Sequence, residues 1–73
     1  MNQVNPKKLL QTKWTAATPE RREKHFIVTA VVEPDAPGAP IESIVLEAVA
    51  TGASRAIAWR SLRDSAVWRQ GWV

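Results

Sequence analysis

The sequence predicts a single small, mainly β domain over residues 1–73: three to four antiparallel strands that twist towards a small barrel, with a short helical turn near the C-terminus. Three observations lead to this fold class. Residues 25–33 and 41–50 alternate apolar and polar side chains with the two-residue period of a strand. Gly52-Ala53 separates the second of these segments from a third, as in a hairpin. A chain of 73 residues has room for only one hydrophobic core.

The first two predicted elements are a helical turn and a short strand. Asn can cap a helix and Pro suits its first position, so Asn5-Pro6 predicts a single helical turn that ends by Leu10. Residues 12–17 mix β-branched and aromatic side chains. This composition favours a strand with Trp14 and Ala16 on one face.

The clearest strand prediction follows residues 18–24, which are predicted to form a charged loop, with one helical turn opened by Thr18-Pro19 as the alternative. Residues 25–33 place four apolar side chains on one face: Phe26, Val28, Ala30 and Val32. The opposite face is mixed, which is typical of a central strand that is partly covered on both sides. Residues 34–40 contain three prolines and are predicted to form a flexible loop.

The second half of the chain predicts a hairpin with a defined register. Residues 41–50 form its first arm, with Ile44, Leu46 and Ala48 inward, and residues 55–59 form its second arm. A two-residue turn at Gly52-Ala53 predicts these opposed pairs: Thr51 with Ser54, Ala48 with Ile57, and Leu46 with Trp59.

The C-terminal segment loses the strand alternation. Ser61 and Asp64 have the spacing of a capping box, which predicts one or two helical turns folded back over the sheet. Asp64 would cap the turn at Ser65 to Trp68, and Gly71 would end it. The last two residues, Trp72-Val73, are predicted to form a tail that pairs with the edge of the first strand.

Tryptophan is expected to supply much of the core. The chain has four tryptophans and no cysteine, so large aromatic side chains must do what disulfides do in other small domains. We predict that replacing Trp59 by alanine unfolds the domain, and that Trp72 is the most exposed tryptophan. The predicted core consists of Trp14, Phe26, Val28, Leu46, Ile57, Trp59, Leu62 and Trp68.

Charge is distributed unevenly along the chain. Residues 1–24 hold six Lys or Arg against two Glu, residues 25–50 hold four acids and no Lys or Arg, and residues 51–73 hold four Arg against one Asp. Two arrangements fit this pattern: the basic ends pair with the acidic middle across strands, or both ends form one basic face.

Several blocks of the sequence resemble a known family. The chain is similar to a small tryptophan-rich family of uncharacterised bacterial proteins, a domain of unknown function, and it departs from that family in the proline-rich loop at residues 34–40. The resemblance implies a bacterial domain with no assigned activity, substrate or partner. It rests on residues 5–10, 13–16, 24–26, 46–49 and 59–64, followed by Trp68, Gly71 and Trp72.

The composition argues against an enzyme. There is no cysteine, and His25 is the single imidazole, placed at the start of a strand where a structural histidine is usual. No phosphate loop, metal-ligand spacing or carboxylate pair is recognisable, so no catalytic, cofactor or metal site is expected. The chain begins without an apolar signal segment and lacks the roughly eighteen apolar residues of a membrane span, which predicts a cytoplasmic protein without a membrane partner.

The remaining function class is non-enzymatic binding. Tryptophan and arginine are enriched at the centres of protein interfaces, which favours a protein or peptide partner. The alternative is single-stranded nucleic acid, bound by arginine and stacked tryptophan. The sequence leaves the oligomeric state open. The candidate partner-binding residues are Arg60, Arg63, Arg69 and Trp72.

Overall fold

The computed structural model describes residues 1–20 and 23–73, and its five strands form one antiparallel sheet in the order β4-β3-β2-β1-β5. The predicted mainly β, antiparallel fold is confirmed. The sheet has one strand more than expected, and it stays open instead of closing into a barrel. The strands are β1 (Lys13–Glu20), β2 (Glu23–Val31), β3 (Ser43–Ala48), β4 (Ser54–Ala58) and β5 (Trp68–Gln70).

Two short 3₁₀ helices complete the fold, at Pro6–Lys8 and Trp59–Arg63. The first begins where the sequence predicted a helical turn. Its cap is the Asn5 side chain, whose Oδ1 accepts a hydrogen bond from the Lys7 backbone N–H at 3.0 Å. The second follows β4 directly and buries Leu62.

The predicted charged loop at residues 18–24 is mostly strand. β1 continues to Glu20 and β2 begins at Glu23, while Arg21 and Arg22 lie outside the described residues. The backbone N–H of Ala17 is held from the other side by the Val67 carbonyl at 2.8 Å. Beyond Ala17 the strand pairs with β2 alone, with Glu20 opposite Glu23, so backbone pairing with β2 holds these charged residues in an extended path.

A bulge in β2 makes the predicted inward face wrong for two of its four residues, Ala30 and Val32. The register with β3 shifts between Val28 and Ala30, so that Val31 lies opposite Ile44 and packs against the core. Phe26 and Val28 point inward as predicted, but Ala30 and Val32 are exposed. An extra residue in one strand moves every later side chain to the other face, which periodicity alone does not reveal.

The hairpin between β3 and β4 exists, but its predicted register is wrong. Ile44 lies opposite Ile57 and Leu46 opposite Arg55, four positions away from the predicted pairing. The turn spans residues 49–52 and is closed by the Ala48 N–H donating to the Ala53 carbonyl at 2.8 Å. A shift of four keeps Ile57 on the same face as the inward residues of β3, which is why alternation could not distinguish the two registers.

The C-terminal turn is present: Asp64 caps the turn at residues 65–67 as predicted, with its Oδ1 accepting from the Ala66 N–H at 2.9 Å, and a helical part that lies earlier than predicted precedes it. Its helical part is Trp59–Arg63, and residues 65–67 form a tight turn in which the Asp64 carbonyl accepts from the N–H groups of Val67 and Trp68. Trp68–Gln70 is then a strand that pairs with β1. The edge pairing predicted for Trp72-Val73 is therefore made by Trp68–Gln70. The free edge of β1 supplies the backbone partners that a helix would have supplied internally.

The core lies on one face of the sheet, which we call the front face and define by Trp14, Phe26, Val28 and Leu46. Of the eight predicted core residues, six are buried, and Ile57 and Trp59 are half-buried against them. The prediction omitted Leu9, which the first 3₁₀ helix brings onto the cluster. The buried cluster consists of Leu9, Trp14, Phe26, Val28, Ile44, Leu46, Ala48, Leu62 and Trp68.

Candidate functional site

A cavity forms an open cleft at one end of the front face. The core residues Leu9 and Leu62 are not among the residues that line this cleft. The cleft has a volume of about 590 Å³ and is partly open to solvent. We call it the front cleft; its lining consists of Ala16, Thr18, Glu23, Phe26, Arg55, Ala66, Val67 and Trp68.

Two aromatic rings form the floor of the front cleft. Phe26 and Trp68 meet edge to face, with ring centroids 5.2 Å apart and an interplanar angle of 87°. They are only 5% and 4% exposed, so little of each ring reaches the cleft. Ala16 lies opposite Trp68 in the β1–β5 pairing and Ala66 in the turn before it. Because both of these side chains are methyl groups, they leave space that larger residues would fill.

The rim of the front cleft carries both signs of charge. The Arg55 guanidinium lies 5.9 Å from the centroid of the Phe26 ring, within the range of a cation–π contact. Glu23 lines the same cleft, and its Oε2 accepts a hydrogen bond from the Thr51 hydroxyl at 2.6 Å. An apolar floor with a few polar groups beside it is a common composition of ligand-binding sites.

Two of the predicted partner-binding residues lie outside this cleft, on the second 3₁₀ helix. Arg60 and Arg63 are both exposed. The Arg60 guanidinium stacks 5.2 Å from the centroid of the Trp59 ring, and Arg63 Nη2 contacts the sulfur of Met1 at 3.4 Å. These two arginines therefore form a shallow basic surface on the helix that follows β4.

The other two predicted residues belong to the opposite side of the sheet, which we call the back face and define by Thr15, His25 and Glu47. Arg69 lies opposite Thr15 and is exposed. Because successive residues of a strand point to opposite faces, the Arg69 side chain lies on the back face, whereas the Trp68 side chain is buried on the front face. Trp72 also lies on the back face, so the structure does not bring the four predicted residues together.

The C-terminal residues fold across the back face as a clamp. Gly71 has a φ of +80°, a left-handed conformation that turns the chain sharply after β5. The Thr15 hydroxyl donates to the Gly71 carbonyl at 2.6 Å and accepts from the Val73 N–H at 3.1 Å. The Trp72 indole N–H donates to the Phe26 carbonyl at 2.9 Å. The first two bonds involve Thr15 itself, and together with the third they hold the C-terminal residues over Thr15, which explains its burial on the back face.

Trp72 is 42% exposed, yet its ring already has neighbours. The Lys13 ammonium lies 4.7 Å from the ring centroid, and the His25 ring centroid is 5.8 Å away at a tilt of 32°. The predicted exposure of this tryptophan is confirmed. Its contacts give it a structural role as well.

Replacing Trp72 by alanine is expected to lower the free energy of unfolding by about 1–3 kcal/mol, because it removes a half-buried ring and the indole hydrogen bond to Phe26. Urea unfolding followed by circular dichroism measures this loss. Trp72→Phe is the matched control, since it keeps the ring contact with Lys13 and loses the N–H donor. A Trp72→Ala change below about 0.5 kcal/mol would show that the clamp contributes nothing to stability.

The sequence identified Phe26 and Trp68 as core residues, but it identified no lining residue of the front cleft as a binding residue. Ala16 lies in the block at residues 13–16 that resembles the family, Glu23 and Ala66 belong to no motif, and Arg55 was counted only for its charge. Their proximity depends on the pairing of β5 with β1, which joins segments more than fifty positions apart. The one available signal was the pair of small residues in segments that otherwise carry bulky side chains.

Within the described residues, 1–20 and 23–73, there is no cluster of three or more His, Asp or Glu side chains arranged as metal ligands, and none of the helices in these ranges has the length and apolar character to cross a membrane. Residues 12–73 match the model of a family described as "Tryptophan-rich protein (DUF2389)". No curated protein and no solved structure matches the chain.

Proposed function

We propose a function from the premise that this chain belongs to the tryptophan-rich protein family, a family of unknown function. The protein is a non-enzymatic cytoplasmic binding module. Its front cleft binds an extended peptide segment of a partner protein. The observation that carries the proposal is the cleft itself. It combines a buried aromatic floor, two small residues that leave space, and a charge of each sign at the rim.

The dimensions of the cleft support a peptide. A volume of about 590 Å³ lies within the usual range for ligand sites, but the cleft is open along one side where a small-molecule site would enclose its ligand. A peptide can place one apolar side chain in the space left by Ala16 and Ala66, against the small part of the Phe26 and Trp68 rings that faces the cleft. Its flanking polar groups would then meet Arg55 and Glu23. Interface binding energy concentrates at such central pockets.

The chemistry of the lining supports binding over catalysis. The titratable groups that line the front cleft are Glu23 and Arg55, and the single imidazole, His25, lies on the back face. General acid–base or nucleophilic catalysis requires matched groups within hydrogen-bond reach of a reacting atom. Among the described lining residues, Thr18 supplies a hydroxyl and Glu23 a carboxylate, but the hydrogen bond of Glu23 Oε2 is made with the Thr51 hydroxyl and not with Thr18.

Single-stranded nucleic acid remains the second candidate, on a different surface. Trp72, Lys13 and Arg69 place an exposed indole and two cations on the back face. A stacking platform needs a free ring face, however, and the Lys13 ammonium already lies over the Trp72 ring. This contact favours the peptide over the oligonucleotide.

A peptide selection tests the proposed function. Phage-displayed random peptides are selected on the intact domain, and the enriched sequences are synthesised and titrated into isotope-labelled protein. We expect chemical-shift changes at Ala16, Phe26, Ala66 and the Trp68 indole. A polythymidine oligonucleotide titrated at low and high salt is the second arm: salt-sensitive shifts at Arg69 and Trp72, with no enriched peptide, would replace the peptide proposal by the nucleic-acid one.

Filling the front cleft is expected to abolish peptide binding. Ala16→Leu adds three carbons to the wall of the cleft, and we expect the selected peptides to lose at least about tenfold in affinity, or 1.4 kcal/mol. Ala30→Leu is the matched control, because Ala30 is an exposed strand residue opposite Val45, away from the cleft. Equal affinities for the two variants, measured by isothermal titration calorimetry, would place the peptide elsewhere.

A further inference from the structure

We infer that the outer edge of β4 is a second binding surface, which accepts an extended, acidic segment of a partner protein as a sixth strand of the sheet. This edge is distinct from the front cleft and does not depend on the function proposed for it. The inference rests on the direction of the backbone groups, on the contrast with the opposite edge of the sheet, and on the local charge.

Two hydrogen bonds determine which groups of β4 point outward. The Ala48 N–H donates to the Ala53 carbonyl at 2.8 Å, and the Trp59 N–H donates to the Glu42 carbonyl at 3.1 Å. Between them the register of β4 with β3 is regular, without a bulge. Hydrogen-bonded and non-hydrogen-bonded pairs alternate in an antiparallel ladder. The residues whose N–H and C=O groups point away from the sheet are therefore Ser54, Ala56 and Ala58.

This row of backbone groups is open to an incoming strand. The side chains of Ser54, Ala56 and Ala58 are small and exposed. In the part of the chain that the structure describes, one of their outward groups has a partner: the Ala58 carbonyl, which accepts from the Ser61 hydroxyl at 2.7 Å. β4 contains no proline and no lysine, which are among the features that natural sheets use to block an edge.

The other edge of the sheet is covered. The outward N–H of Trp68 donates to the Asp64 carbonyl at 2.9 Å, and the outward carbonyl of Trp68 accepts from the Asn2 side-chain amide at 2.7 Å. The Gln70 side chain donates to the Gln3 carbonyl at 2.9 Å. The N-terminal residues thus close the β5 edge. An unblocked edge on one side only is the arrangement used by domains that bind by strand addition.

The charge near β4 identifies the occupant. Residues 54–63 carry three arginines and no acid. Arg60 and Arg63 follow β4 directly and are exposed. A second copy of this chain would bring the same three arginines to the same edge, and opposed like charges destabilise a strand pair. An extended segment with acidic side chains from a different protein meets complementary charge instead.

Designed peptides test this inference. The first probe alternates valine with glutamate, the second alternates valine with lysine, and the third is the glutamate peptide with N-methyl groups on the amides that would pair. Each is titrated into isotope-labelled protein at low and high salt. We expect the glutamate peptide to shift the amide signals of Ser54, Ala56 and Ala58 and to bind more weakly as salt rises, and the other two peptides to leave these signals unchanged.

Two variants make the test specific. Ala56→Pro removes an outward N–H and no bond within the sheet, so it should fold and reduce the affinity for the glutamate peptide at least about tenfold. The double variant Arg60→Glu/Arg63→Glu should prefer the lysine peptide. Ala16→Leu should bind like the wild type, which separates a failure of this inference from a failure of the front cleft.

Three results would overturn the proposal. The first is equal binding of the N-methylated peptide, which cannot add to the ladder. The second is an unaltered charge preference in the double variant. The third is an Ala56 signal that shifts with protein concentration in the absence of peptide, because that would identify a second copy of this chain as the occupant.

Discussion

Replacing Trp68 by alanine is expected to unfold the domain. The Trp68 side chain is buried, packs edge to face on Phe26, and anchors β5 against β1 opposite Ala16. Truncating a buried tryptophan costs about 3–5 kcal/mol. A single core of this size supplies a net stability of roughly 3–5 kcal/mol, so the variant is left with little or none.

Circular dichroism and thermal melting of the purified Trp68→Ala variant measure this effect. Trp72→Ala is the matched control, since it removes the same side chain from a position that is 42% exposed and should leave a cooperative transition. Trp59, which the sequence placed at the centre of the core, is half-buried, although its indole N–H donates to the Ile41 carbonyl at 2.7 Å. We therefore expect Trp59→Ala to cost less than Trp68→Ala. A folded Trp68→Ala protein that melts near the native temperature would contradict the described core.

Leu62→Ala is expected to produce the second-largest loss of stability. Leu62 is fully buried and is the residue by which the second 3₁₀ helix packs on the sheet. Removing its isobutyl group should cost about 2–5 kcal/mol through lost burial and the cavity that remains. A five-residue 3₁₀ helix has little stability of its own, so this helix should detach locally and loosen the positions of Arg60 and Arg63.

Amide hydrogen exchange shows where in the chain Leu62→Ala loosens the structure and by how much. The Asn2 N–H donates to the Arg63 carbonyl and the Asn2 side chain to the Leu62 carbonyl, so detachment of the helix should raise the exchange rate of the Asn2 amide. Ser61→Ala is the control, because it changes an exposed neighbour and loses one hydrogen bond, worth about 1 kcal/mol. Equal losses for the two variants would mean that burial of Leu62 does not hold the helix in place.

The same detachment has a consequence for the β4 edge. Ser61 occupies the outward carbonyl of Ala58, and the two arginines that supply the local positive charge stand on the same short helix. If this helix loosens, the C-terminal end of β4 at Ala58 and the side chains of Arg60 and Arg63 become less ordered. The Leu62→Ala variant should therefore bind the glutamate peptide more weakly than Ser61→Ala does.

The sequence by itself determined the elements whose signal is local. Alternation over residues 25–28 and 44–48 identified the inward side chains Phe26, Val28, Ile44, Leu46 and Ala48, because a strand packed on one face imposes a two-residue period. The Asn5-Pro6 pair identified the first helical turn, because capping is a matter of neighbouring residues. The absence of cysteine and the four tryptophans predicted a core built largely from aromatic side chains, but in the described residues Trp14, Phe26 and Trp68 are buried beside six aliphatic core residues.

The tertiary structure alone decided the features that depend on pairing between distant segments. The bulge after Val28 moves the later side chains of β2 to the other face, which alternation does not reveal. The observed register of β3 with β4 keeps the same faces as the predicted one, so alternation could not distinguish the two registers. The strand Trp68–Gln70 forms because β1 offers a free edge for pairing. The local sequence of residues 68–70 does not predict this pairing. The front cleft and the open β4 edge also follow from strand pairing: Ala16 and Ala66 leave a space only when β5 lies beside β1, and Ala56 is an edge residue because β4 is the outermost strand of the sheet formed by the described residues.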